Sequence, residues 1–115
     1  MRTYDLLLWL VPRTLKFPRE YRFNLVHHIQ DAAHALQRAL IEAALAGDAQ
    51  QEEAMLRRAD VELGQLRLNV RLSHDLKLLD GQGYNHASEL LAEVGRLLGG
   101  WKRKQGKRFG TDGQV

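Results

Sequence analysis

The stretch 84-YNHASELLAEVGRLLGGW-101 decides the fold, because its apolar residues recur at alternating spacings of three and four. These residues form an apolar stripe that consists of Tyr84, Ala87, Leu91, Val94, Leu98 and Trp101. Side chains at such spacings share one face of an α-helix, and an apolar face of this kind packs against neighbouring helices. The stretch therefore predicts a long amphipathic helix in an all-α protein.

Three glycines, Gly95, Gly99 and Gly100, interrupt the same helix. Each one is expected to destabilise a helix interior by roughly 1 kcal/mol relative to alanine. Two explanations stay open from the sequence alone. Either the backbone of another helix approaches closely at these positions, or the helix loosens before its basic end.

Positive charge is concentrated at that end. The formal net charge is only +3, but between Val94 and the C-terminus the basic residues are opposed by one acid, Asp112. A basic patch at one end of a protein indicates an anionic partner. The alternative is that the cations only complement the helix dipole and keep the helix end soluble.

The chain has 115 residues and no cysteine, which predicts one domain without disulfides or thiolate metal sites. Its first residues lack the features of a signal peptide, and the apolar run Leu6–Val11 is too short to span a membrane. We therefore expect a cytoplasmic protein, and nothing in the sequence calls for a cofactor.

Leucine-rich and alanine-rich segments without period-two alternation predict four helices arranged as an antiparallel four-helix bundle. The predicted spans are Thr3–Leu15, Pro18–Ala46, Ala49–Leu78 and, after an N-cap at Asp80, a fourth helix that ends near Lys104. The bundle domain is predicted to occupy residues 1–104. The glycine-rich segment 105–115 is predicted to be a disordered basic tail.

The third predicted helix carries two apolar stripes. One consists of Leu56, Ala59, Leu63, Leu66 and Val70, and the other of Val61, Leu68, Leu72, Leu76 and Leu79. One stripe is enough to pack a helix into a bundle, so the second predicts a subunit interface. The alternative is that this helix lies between two neighbours within its own bundle.

Two groups of polar residues invite a catalytic or metal-binding interpretation. His27, Asp31 and His34 share a helix face opposite the buried stripe, so a solvent-exposed polar face is favoured over a metal site. His74 and Asp75 are adjacent on a helix and point about 100° apart, which does not suit a catalytic dyad. Without a nucleophile motif, a Walker loop or a dinucleotide fingerprint, the sequence predicts no enzyme.

A row of Arg67, Arg71 and His74 at spacings of four and three follows the third helix. Such a row can contact phosphates along a nucleic-acid strand. It can equally form ion pairs with Asp75 and Glu62 on the same helix. Together with the basic end of the fourth helix, the row favours nucleic-acid binding.

Three segments resemble the accessory variability determinant (Avd) family, small helical proteins encoded with diversity-generating retroelements. They are Tyr4–Phe23 (YDLLLWLVPRTLKFPREYRF), Arg57–Leu79 (RRADVELGQLRLNVRLSHDLKLL) and Tyr84–Trp101. Together they cover more than half of the chain, in the family's order. The resemblance implies a four-helix-bundle protomer, a homopentamer, a basic surface that binds nucleic acid, and a reverse transcriptase partner that copies template RNA into mutagenised cDNA.

The predicted function is therefore that of a non-catalytic accessory subunit. The residues predicted to bind RNA, and possibly DNA, are Arg67, Arg71, Arg96, Lys102, Arg103, Lys104, Lys107 and Arg108. Arg13 and Arg19 are predicted to serve the partner interface. Two alternatives stay open: a structural oligomeric scaffold whose basic end only confers solubility, and a regulatory helical module bound by a protein partner.

Overall fold

The computed structural model describes residues 2–108, and within them the chain forms four α-helices and no strand. The helices are α1 (Arg2–Thr14), α2 (His27–Ala44), α3 (Ala49–Asp75) and α4 (Gly81–Arg108). A short 3-10 helix (Arg19–Tyr21) and a π-helical turn (Arg22–Val26) connect α1 to α2. The all-α prediction is confirmed. In the described range, no helix is both long enough and apolar enough to span a membrane.

The core of this four-helix bundle is built from the predicted apolar stripes. On α4 the stripe residues Ala87, Leu91, Val94 and Leu98 are buried, and Tyr84 and Trp101 are half-buried against the core. On α3 the first predicted stripe is buried in full: Leu56, Ala59, Leu63, Leu66 and Val70. Burial of large aliphatic side chains at about 1.5–3 kcal/mol each makes this core the main source of stability.

Contacts along the helices fix which ends lie together. At one end, the Gln105 side-chain amide donates to the Ala49 carbonyl at 3.0 Å, which joins the end of α4 to the start of α3. Trp9, in the second half of α1, contacts the ring of His86 near the start of α4, at 5.0 Å between ring centroids. The molecule is 51 Å long, so the α1–α2 connection and the C-terminal end of α4 lie far apart.

The second helix begins later than predicted. Its predicted start at Pro18 is wrong, because residues 19–26 form the 3-10 and π-helical turns and α2 begins at His27. The consecutive residues Leu25 and Val26 are both buried, as is Ile29. An α-helix turns two consecutive residues about 100° apart, whereas the wider π-turn accommodates an extra residue per turn and lets both reach the core.

The fourth helix ends later than predicted. α4 continues to Arg108 instead of ending near Lys104, and Gln105 is only 8% exposed. The hydrogen bond from Gln105 to Ala49 explains the extension, because it ties this last turn to α3. Of the predicted tail, residues 109–115 lie outside the described residues.

Both predicted helix starts after the loops are confirmed by their caps. The Asp48 carboxylate accepts a hydrogen bond from the Gln51 backbone N–H at 2.8 Å, and the Asp80 carboxylate accepts one from the Gly83 N–H at 2.7 Å. A side-chain acceptor at this position satisfies one of the free N–H groups at a helix start. These caps fix the α2–α3 and α3–α4 connections.

Candidate nucleic-acid interface

A groove between α3 and α4 holds the first two predicted nucleic-acid-binding residues. Arg67 and Arg71 line it from α3, and Tyr84 and Ser88 line it from α4, around a volume of about 440 Å³. Both arginines are exposed. We call this groove the α3–α4 seam, and it presents two guanidinium groups to solvent in a row.

Gly95 explains how Arg67 is positioned. A methyl group built at Gly95 would lie 2.5 Å from Nη2 of Arg67, so the guanidinium rests directly on the α4 backbone. The expected close approach of another backbone is not what occurs at Gly95, because the group that lies against it is the Arg67 side chain. No carboxylate within residues 2–108 pairs with Arg67, which leaves its charge available to an anionic ligand.

The other members of the α3 row are engaged with neighbours. Arg71 lies 3.9 Å from the Asp75 carboxylate, an exposed pair of the kind that contributes at most about 1 kcal/mol. The His74 ring stacks on Tyr84 at 4.5 Å between centroids, and its Nδ1 lies 3.1 Å from the Leu79 carbonyl oxygen. His74 and Asp75 thus have different partners.

The end of α4 is tied to α3 by polar contacts. The Lys102 ammonium forms an ion pair with Asp60, and the Trp101 indole N–H donates to the Glu52 carboxylate at 2.7 Å. Lys102 was predicted to contact nucleic acid, but part of its charge is neutralised by Asp60. Trp101, half-buried beside it, holds the two helices together.

Three further predicted cations share the outer face of α4. Arg96, Arg103 and Lys107 are spaced by seven and four residues, which keeps them within about 40° on a helix, and all three are exposed. Arg103 extends along its own helix, since methyl groups built at Gly99 and Gly100 would lie 3.6 and 3.8 Å from its guanidinium nitrogens. Lys104 is exposed on a different side of α4. The side chain of Arg108 lies outside the described residues.

The two residues predicted for the partner interface differ in their contacts. The Arg13 guanidinium lies 4.0 Å from the centre of the Trp9 ring, and it also donates to the Trp9 carbonyl at 3.2 Å. Arg19 is exposed in the 3-10 helix. Neither pairs with a carboxylate among the described residues.

Sequence reasoning missed a cluster in the α1–α2 connection. Arg13, Lys16, Arg19 and Arg22 recur at every third position, and all four are exposed. Phe23 follows them with 84% of its surface exposed. We call the segment 13–23 the basic corner. Two features of the sequence could have revealed this cluster: the cations are regularly spaced, and the segment contains a single acid, Glu20.

The second apolar stripe of α3 faces outward. Val61, Leu68, Leu72 and Leu76 are exposed, with Leu68 at 65%, and only Leu79 is buried. As the alternative expected, α3 lies between two neighbours of its own bundle, α2 and α4. These neighbours nevertheless leave four of the five residues of the second stripe uncovered. A row of exposed leucines on one helix face is typical of an interaction surface.

The histidine-containing face of α2 matches its predicted character. His27, Asp31 and His34 are exposed, and His27 pairs with Asp31 at 3.2 Å. Within the described range, no three histidine, aspartate or glutamate side chains converge so as to hold a metal ion.

Comparison with known proteins identifies the family. A comparison with curated proteins gives no match. A family model described as bAvd-like matches residues 1–105, nearly the whole chain and all four helices up to the last turn of α4. The resemblance predicted from the three sequence segments is confirmed, and the chain belongs to the bAvd-like family.

Proposed function

We propose that this protein is a non-catalytic accessory subunit of a diversity-generating retroelement. In this role an antiparallel four-helix bundle binds nucleic acid, either the template RNA or its cDNA copy, and docks to the retroelement's reverse transcriptase. The observation that carries the proposal is the bAvd-like match over residues 1–105. The exposed cations of the α3–α4 seam support its nucleic-acid part.

The seam suits phosphate contacts better than base reading. Arg67 has no carboxylate partner among residues 2–108, and the partner of Arg71 is exposed and weakly held. Phosphate contacts carry no sequence information, and the sequence contains no recognised base-reading motif. Arg96, Arg103 and Lys107 extend the basic surface along the outside of α4. Binding is therefore electrostatic and largely independent of sequence.

A salt series tests this part of the proposal. The affinity for unrelated single-stranded RNAs should fall steeply with salt, since each neutralised phosphate releases a counterion. Replacing Arg67 and Arg71 with glutamine should weaken all of these RNAs alike and lower the salt slope by about 1 to 2. A matched control replaces Arg57 and Arg58, which lie elsewhere on α3. Tight binding of one sequence that survives high salt would contradict the proposal.

Assembly into a homopentameric ring is the second part of the proposal. A ring needs two unlike faces on each protomer, so that the contact is head-to-tail and closes. One candidate is the exposed α3 stripe. The other is an apolar surface on α1, α2 and α4, where Tyr4, Leu8 and Ile41 line one groove and Ile41 and Leu97 line the next.

Light scattering on the purified protein measures the assembly directly. Replacing Leu68 and Leu72 with aspartate should dissociate it, because charge would be buried without a partner at the contact. Replacing Val61 alone with threonine is the mild control. A wild-type monomer at micromolar concentration would contradict the interface, and a tetramer or hexamer would contradict only the pentamer.

Docking to a reverse transcriptase is inferred from the family. The discriminating observation is genomic: a neighbouring reverse transcriptase gene with variable and template repeats favours the accessory role. Arg13 and Arg19 are the first residues to replace in a co-purification with that enzyme. A scaffold without nucleic-acid binding is the competing function, and the salt series separates the two.

A further inference from the structure

The basic corner is built differently from every other basic surface of the described chain. Its cations project from the end of α1, the turn, the 3-10 helix and the π-turn, so they surround a bend instead of lining one helix face. Inward-facing Thr14, Phe17 and Leu25 anchor the bend in the core. The Gln30 amide donates to the Thr14 hydroxyl at 3.0 Å and fixes the bend to α2. The exposed groups are thus held on a defined support.

The charge of the corner is not neutralised within residues 2–108. Lys16, Arg19 and Arg22 form no ion pair there. Arg13 is held over the Trp9 ring, a contact that orients the guanidinium without cancelling its charge. By contrast, Arg57, Arg71 and Lys102 elsewhere each have a carboxylate partner.

Phe23 adds an aromatic face to these cations. At 84% exposure it is the most exposed large apolar side chain of the described chain. It lies outside both apolar faces assigned to the ring, and its chain neighbours Arg22 and Asn24 are polar and exposed. Aromatic rings among cations are the usual platform for unpaired bases.

We propose that the basic corner binds single-stranded nucleic acid, with the Phe23 ring stacked on a base and Lys16, Arg19 and Arg22 contacting the flanking phosphates. This inference rests on the proposed nucleic-acid-binding function and adds a second site to it. The corner lies at the opposite end of the molecule from the C-terminal cations.

The test is fluorescence anisotropy with a labelled oligouridine and an RNA duplex of equal length. Phe23→Ala should weaken binding of the oligouridine about 5- to 150-fold, the range of one lost base stack. It should change duplex binding less than about twofold, because paired bases have no free face for stacking. Phe23→Trp should bind the oligouridine at least as well as wild type. Phe23→Leu should behave like Phe23→Ala, because leucine is apolar but has no aromatic face.

Two controls make the outcome decisive. Leu15→Ala removes another exposed apolar side chain of the same corner and should leave binding unchanged. Unchanged melting temperatures should show that the Phe23 variants are folded.

If Phe23→Ala binds the oligouridine like wild type, or weakens binding of the single strand and of the duplex equally, the stacking site is wrong. If the variant changes only the oligomer mass, the corner is a protein interface. A wild type that binds no nucleic acid would overturn the proposed function and this site together.

Discussion

At the C-terminal end of α4, Trp101 precedes Lys102, and at the basic corner Phe23 follows Arg22. Trp101 is half-buried and donates to Glu52, and Lys102 is paired with Asp60. Phe23 is exposed, and Arg22 has no carboxylate partner among residues 2–108. The same combination of aromatic and cation stabilises the fold at one end and is open to a ligand at the other.

The difference shows why a count of charges does not locate a binding surface. The C-terminal end is the richer in cations by sequence, but the first of them is held by a carboxylate from α3. The basic corner has fewer, spread over a bend, and they stay unneutralised in the folded chain. The two ends differ in their acidic neighbours. The packing of α3 against α4 places Asp60 beside Lys102, whereas no carboxylate of residues 2–108 pairs with Lys16, Arg19 or Arg22.

The largest expected effect separates the two aromatic residues by stability. Trp101→Ala should lower the free energy of unfolding by about 2–3 kcal/mol, somewhat below the range for a fully buried tryptophan because Trp101 is half-buried. Phe23→Ala should change it by less than about 0.5 kcal/mol, as is usual for exposed positions. Thermal and denaturant unfolding of both variants measures this. If Trp101→Ala melted like wild type and instead lost RNA binding, the roles of the two ends would be reversed.

A second prediction compares the charges at the two ends. Replacing Lys16, Arg19 and Arg22 with glutamine should lower the salt slope for single-stranded RNA by about 2, since about 0.7 is lost per phosphate contact. Replacing Lys102, Arg103 and Lys104 should lower it by only about 1. Asp60 already neutralises Lys102, and Arg103 lies along its own helix. The slope from binding curves at several salt concentrations is the measurement. Equal slopes for the two triple variants would remove the distinction between the ends.

Much of the fold could be predicted from sequence, because the decisive signals are local. The buried stripe from Leu56 to Val70, the start of α3 at Ala49 and the cap at Asp80 follow from spacing and side-chain chemistry within a few residues. The start of α2 could not be predicted, because residues 19–26 form 3-10 and π-helical turns, whose periods differ from the α-helical period used to read the sequence.

The candidate site was harder to predict, because its contacts depend on how helices are aligned. Lys102 and Asp60 are 42 positions apart, so their pairing depends on the relative shift of α3 and α4. Phe23 is exposed although Leu25, two positions later, is buried, and this difference depends on the bend of the α1–α2 connection. Arg67 and Arg71 were predictable, since their spacing alone places them on one face of α3.

A third prediction asks whether neutralisation by Asp60 limits the C-terminal end. Asp60→Asn should free Lys102 and tighten single-stranded RNA binding about two- to fivefold, while destabilising the protein by no more than about 1 kcal/mol, the range of an exposed ion pair. Asp31→Asn gives the same change in net charge but frees only His27, so it is the control. Anisotropy titrations at low salt measure the change. Equal gains in both variants would mean that only overall charge matters.

The smallest expected effect is on the stability of α4 and concerns Arg67, whose guanidinium lies against the backbone at Gly95 and has no carboxylate partner among residues 2–108. Gly99→Ala should stabilise α4 by up to about 1 kcal/mol, since alanine is the better helix former and the nearest atom, Nη1 of Arg103, is 3.6 Å from the added methyl group. Gly95→Ala should gain less, because its methyl group would lie 2.5 Å from Nη2 of Arg67 and displace the guanidinium. In an Arg67→Gln background, Gly95→Ala should recover the full gain, and denaturant unfolding of the four proteins measures this coupling. Equal gains from Gly95→Ala with and without Arg67 would show that the guanidinium is not held on the α4 backbone, and the α3–α4 seam would lose its positioned cation.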